Sequence, residues 1–162
     1  QVGEAYKRIG DSSVNCEYPG TKIFADDNSV VITSPATLLG CPVTNTKMVK
    51  LMKLGGSATF TVNVPADGNY AINTSYISAE PRNLQVKVNK NAVDPNDVFT
   101  KTFNFYSTGD NSWCEGGGTG STHVVPLELN KFKAGSNTIT FGNDGDEDSP
   151  VIEWIALVPK QD

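Results

Sequence analysis

Histidine occurs once in the 162 residues, at position 123, and no serine or cysteine motif accompanies it as a nucleophile. A Gly-x-Ser-x-Gly elbow, a phosphate-binding loop and a His-Glu-x-x-His helix are all missing. The chain therefore gives no sign of hydrolase or metalloprotease chemistry, and we expect it not to be an enzyme. Basic residues are few: 13 Lys and Arg stand against 18 Asp and Glu, for a net charge of −5, and they are scattered. A polyanion needs clustered cations, so nucleic acid is not an expected partner. No apolar run approaches the roughly 20 residues that span a bilayer, so no membrane partner is expected either. A basic-then-apolar leader is also absent; we expect any signal peptide to have been removed from a secreted, extracellular protein.

Cysteine is sparse. Cys16, Cys41 and Cys114 have no C-x-x-C spacing, which argues against zinc and thioredoxin-like chemistry. Outside the cell one pair would form a disulfide and leave one thiol over. Cys16 with Cys41 is the favoured pair, since both flank the irregular N-terminal stretch.

What the sequence does hold is alternation. Ala58, Phe60, Val62 and Val64 share one parity, as do Tyr70, Ile72, Thr74 and Tyr76. Leu84, Val86 and Val88 follow, then Phe99, Phe103 and Phe105, Val125, Leu127 and Leu129, and finally Ile139 and Phe141. Period two is the mark of a strand with one buried face. The run 151–158 is apolar on nearly both faces and reads as a central, doubly covered strand, with Trp154 in the core. Weaker signals place edge strands at 4–9 and 29–33. Pro65-Ala-Asp-Gly68, Asp94-Pro-Asn, Lys133-Ala-Gly-Ser136 and Asn143-Asp-Gly mark turns. No window is helical, and 15 Gly with 9 Pro suit many short strands. The expectation is a single all-β domain over residues 1–162, an antiparallel β-sandwich.

If successive strands alternate in direction, loops sort into two ends. One end collects 54–56, 78–82, 107–121 and 143–149; the other collects 65–68, 90–97 and 130–136. The second set reads as plain connectors. The first holds Arg82, Trp113, a triple glycine at 116–118 and the acidic run 143–148. An aromatic ring beside carboxylates, amides and a guanidinium suits a sugar: the pyranose face stacks and its hydroxyls bond to planar groups. Trp113 is the expected stacking residue, with Arg82, Asn143, Asp144 and Asp146 as polar contacts.

Several ordered motifs add a resemblance. Gly56-Ser-Ala-Thr-Phe-Thr-Val-Asn-Val-Pro-Ala-Asp-Gly-Asn-Tyr70, Arg82-Asn-Leu-x-Val-x-Val-Asn89, Ala134-Gly-x-Asn137-Thr-Ile139 and Pro150-Val-Ile-Glu-Trp-Ile155 resemble family 35 and family 6 carbohydrate-binding modules. The likeness covers about residues 47–158. It implies a jelly-roll-like sandwich that binds polysaccharide or oligosaccharide, a monomer attached to a catalytic domain in a secreted polysaccharide-active enzyme. It also implies a structural calcium. Glu4, in the segment Glu4-Ala-Tyr-Lys-Arg-Ile-Gly10, and Glu153 stand where such modules carry metal-binding carboxylates. This chain lacks the paired Glu before Glu4 and has Glu153 where Asp is usual.

Plainer readings stand beside these. Trp113 could cap a strand edge, Arg82 could be a surface ion-pair partner, and the run 144–148 could be a solvated loop. Glu153, taken to share a face with Val151, Ile155 and Leu157, needs a cation, a hydrogen-bond cluster or exposure. Asn73-Thr-Ser75 is a glycosylation sequon within an expected strand. The rival functions are a structural or protein-interaction spacer and a small lyase or hydrolase on the same fold.

Overall fold

The computed structural model describes residues 22–114 and 117–159. In chain order the strands are β1 (Ile23–Phe24), β2 (Val31–Thr33), β3 (Thr37–Cys41), β4 (Thr46–Lys50), β5 (Ser57–Val64), β6 (Gly68–Ile77), β7 (Arg82–Val88), β8 (Phe99–Phe105), β9 (His123–Phe132), β10 (Gly135–Phe141) and β11 (Val151–Pro159). One 3-10 turn, Pro95–Asp97, interrupts them. They form two antiparallel sheets. One has the order β3-β4-β11-β6-β9 with β1 added against β11, the other the order β2-β5-β10-β7-β8. The chain is an all-β sandwich, as its alternation implies.

The parity sets assigned from sequence face each other across the core. Tyr76 of β6 and Phe105 of β8 meet edge-to-face across it at 5.0 Å between centroids, while Phe60 and Phe141, on neighbouring strands of one sheet, meet edge-to-face at 5.6 Å. Leu84, Val86, Leu129 and Ile139 are fully buried between them. β11 is interior to its sheet, as its continuous apolar run requires.

The loops sort into two poles as strand alternation demands. At one pole the Lys131 ammonium donates to the Asn96 carbonyl (2.8 Å) and the Ala134 amide to Asp67 (2.7 Å). At the other the Thr108 amide donates to the Ser78 carbonyl (2.7 Å) and the Leu54 amide to the Gly145 carbonyl (2.8 Å). Segments 51–56, 78–81, 106–114, 117–122 and 142–150 are thereby one surface.

Five expectations need correction or limits. The disulfide joins Cys41 to Cys114, not Cys16 to Cys41; the loop after β8 folds back over β3 and brings the pair to a Cα separation of 4.8 Å. A β-bulge between Ile152 and Trp154 breaks the phase of β11. Ile152, Ile155 and Leu157 join the core, whereas Val151 packs with the cluster of Cys41, Met48, Ile77 and Cys114 on the sheet's outer side. Trp154 is for the same reason only partly buried, with the Lys22 ammonium 4.4 Å from its ring centre. The strand expected at 29–33 begins only at Val31, because Asp27 accepts from both the amide (2.9 Å) and hydroxyl (2.7 Å) of Ser29 in a turn. The segment 4–9, with Glu4, and Cys16 lie outside the described residues.

Candidate functional site

The loop 106–122 carries Trp113, and its own side chains hold it. Ser112 is buried; its hydroxyl accepts from Thr108 (2.7 Å) and donates to the Ser121 carbonyl (2.8 Å). The Trp113 and Thr119 amides both donate to the Asn111 carbonyl, at 3.0 and 2.9 Å. Gly118 lies so close beneath Trp113 that a Cβ there would sit 2.6 Å from the tryptophan's own Cβ. Cys114, the next residue, is pinned to β3 by the disulfide. These restraints present the indole at 39 % exposure.

Arg82, at the start of β7, completes the support. Its guanidinium carbon lies 5.3 Å from the Trp113 ring centre, a cation–π contact. Nη1 donates to the Ser149 carbonyl (3.3 Å), and Nη2 sits 3.1 Å from Glu80 and 4.0 Å from Asp148. The loop 142–150 is held in turn by Lys53, whose ammonium reaches Asp146 (3.2 Å) and Asp148 (3.1 Å). The hydrogen bond from Lys53, and its charge with that of Arg82, lower the Asp148 pKa. The same bonds, to Asp148 first and Asp146 next, raise that of Lys53. Both side chains are thus held charged over the neutral range.

These groups enclose a cavity of about 410 Å³ with Trp113, Arg82, Asp148 and Ser149 on its walls and Leu39, Leu51, Ile77 and Val151 supplying apolar surface. Such a mixture, one open ring over an apolar floor with acceptor oxygens at the rim, suits a ligand with both an apolar face and hydroxyls.

The expected site residues divide. Trp113 and Arg82 are brought together. Asp146 is not among the residues that line the cavity and is joined to the site through Lys53, which also pairs with Asp148. Asn143 belongs to the same pole, but its amide is taken up internally: Oδ1 accepts from the Gln85 amide (3.0 Å), Nδ2 donates to the Asn83 carbonyl (2.9 Å), and the residue is 5 % exposed. Asp144 faces a separate shallow depression with Lys87 and Lys90. Asp148 and Ser149 were missed. Asp148 lies in the acidic run that sequence singled out, yet strand parity does not extend into a loop to choose among its carboxylates.

Glu153 is buried on the outer side of its sheet, its two oxygens accepting from the hydroxyls of Ser75 (2.7 Å) and Thr46 (2.8 Å). Calcium takes six to eight oxygen ligands, usually with more than one carboxylate. Among the described residues no three His, Cys, Asp or Glu side chains cluster. On their own, these residues fit a hydrogen-bonded cluster and fall short of a calcium set. His123 is exposed, its ring 6.3 Å from that of Tyr76. No described helix is long and apolar enough to cross a membrane.

No protein-family model matches the sequence, and no curated protein matches it. Solved structures do resemble the fold. A family 35 carbohydrate-binding module from Clostridium thermocellum superposes with a TM-score of 0.68 at 19 % identity, over 85 % of this chain and 98 % of that one. A family 35 module from Paenibacillus barcinonensis gives 0.64 at 18 %, over 87 % and 100 %. An exo-β-1,3-galactanase from Phanerochaete chrysosporium, solved with β-1,3-galactotriose, gives 0.64 at 21 %; the likeness spans 85 % of this chain but 29 % of the galactanase. The chain has the fold of the family 35 carbohydrate-binding modules.

Proposed function

We propose that this domain binds carbohydrate at the Trp113 cavity and carries out no chemistry of its own, serving as the targeting module of a secreted polysaccharide-active enzyme. The observation that carries this reading is the braced indole. A tryptophan 39 % exposed, backed by Arg82 and walled by Asp148 and Ser149, is a stacking platform prepared before any ligand arrives. Fold likeness to isolated modules and to part of a galactanase supports the same reading.

In this proposal Trp113 stacks on the sugar's apolar face. Asp148 and Asp146 accept hydroxyl hydrogens at the rim. Arg82 holds the ring in place, and Asn143 and Lys53 shape the loop that bears the acceptors. A small, wet site of this kind gives micromolar to millimolar affinity. Calorimetry against galactans, mannans, xylans and uronic-acid polymers tests it; β-1,3-galactan joins the panel because the galactanase structure holds galactotriose. Binding that Trp113→Ala removes supports the site. Binding that survives this change moves it elsewhere, and none across the panel favours a spacer role.

A structural calcium belongs to the same proposal. It would be held by Glu153 and Glu4, with further oxygens to complete its shell, and would stiffen the fold. If it is resident, EDTA lowers Tm. An unchanged Tm leaves Glu153 to its two hydroxyl partners.

A further inference from the structure

A sugar site can be built for neutral or for acidic sugars, and the charges around the Trp113 cavity differ for the two. An acidic sugar brings a carboxylate, which needs a cation free to receive it. The two cations that pair with the acidic groups beside this cavity are already engaged. Lys53 lies 3.2 Å from Asp146 and 3.1 Å from Asp148. Arg82 directs Nη2 to Glu80 (3.1 Å) and Nη1 to the Ser149 carbonyl (3.3 Å), and its Nε is buried with no hydrogen-bond partner, closed to a ligand. Lys50, which also reaches the cavity, has an interaction of its own. Lys53 and Arg82 between them thus pair with three carboxylates, Asp146, Asp148 and Glu80, and Glu147 in the same loop adds negative charge.

The open groups are acceptors. The Asp148 side chain is 56 % exposed and that of Asp146 is 76 % exposed. Hydroxyls can donate to them, whereas a carboxylate is repelled. We infer that the cavity selects neutral sugar residues, recognised through their hydroxyls, over uronic acids of the same stereochemistry. This inference rests on the carbohydrate reading above.

Calorimetry at fixed, low ionic strength tests it with galacto-, gluco- and manno-disaccharides, each beside its matching di-uronate. The neutral member of the series that binds is expected to bind about tenfold or more tightly than its uronate, since one like-charge approach costs at least that factor. Glu80→Gln frees Arg82 Nη2 without touching the cavity wall and is expected to narrow the gap severalfold. Uronates binding as tightly as neutral sugars overturn the inference and leave the sugar site standing. A neutral preference that Glu80→Gln does not alter overturns its electrostatic cause. Failure of every member of both series overturns the carbohydrate reading itself.

Discussion

At Trp113 the indole is held in place by its neighbours. Gly118 is one of them. Its missing side chain lets two strands of the loop touch, so Gly118→Ala must push the Trp113 backbone aside. We expect this change to weaken sugar binding severalfold while lowering Tm only slightly, checked by calorimetry beside a thermal melt. Trp113→Ala should remove the stacking surface, reducing affinity about tenfold or more with the fold intact. Asn143→Ala separates a structural from a ligand role. Its buried amide satisfies the Gln85 amide and Asn83 carbonyl, and losing both bonds should cost about 3 kcal/mol in denaturant unfolding. Sequence marks Asn143 and Asp148 alike as polar loop residues. Which of them turns inward depends on the packing of 142–150 against β7, a contact no local pattern records.

Among the elements, those with a steady period of two were legible. β5 and β7 carry apolar parity without interruption, β6 and β10 carry it over most of their length, and antiparallel alternation then placed Arg82 and Trp113 at one pole. The β3–β4 hairpin was not legible, because its five-residue strands carry too few alternations. The bulge in β11 was hidden too: an apolar run on both faces has no phase to lose. The disulfide follows from the hairpin, whose Cys41 receives the Trp113 loop. Closing a separation of 73 residues, it should contribute about 2–4 kcal/mol, and the Cys41→Ser/Cys114→Ser pair should lose that stability and bind sugar more weakly. The exposed edge β8 has its own safeguard. Lys101 takes a core-side parity position between Phe99 and Phe103, its ammonium 5.0 Å from the Phe103 ring centre, and places a charge where another strand would dock. Lys101→Val should raise self-association, seen as a mass that grows with concentration in light scattering.

For the whole molecule, the sandwich is a scaffold whose two poles differ in purpose: one joins strands, the other holds a cavity framed by four loops. The Lys53–Asp148 pair that ties two of those loops makes the pole sensitive to acid. Asp148 has a lowered pKa in the folded state, so its stabilisation is fully present above the unfolded value, at about pH 5 and up. It fades as the pH falls through the folded value. Sugar affinity should therefore be level from about pH 5 to pH 8 and fall below about pH 4. The central claim is that one pole, at Trp113, is where the sugar sits. Backbone and indole NMR shifts during titration with a sugar from the binding panel test this most directly. The account predicts shifts at Trp113, Arg82 and residues 146–149, with none at 65–68 or 130–136; shifts concentrated at the latter pole, or no shifts with any sugar, would contradict it.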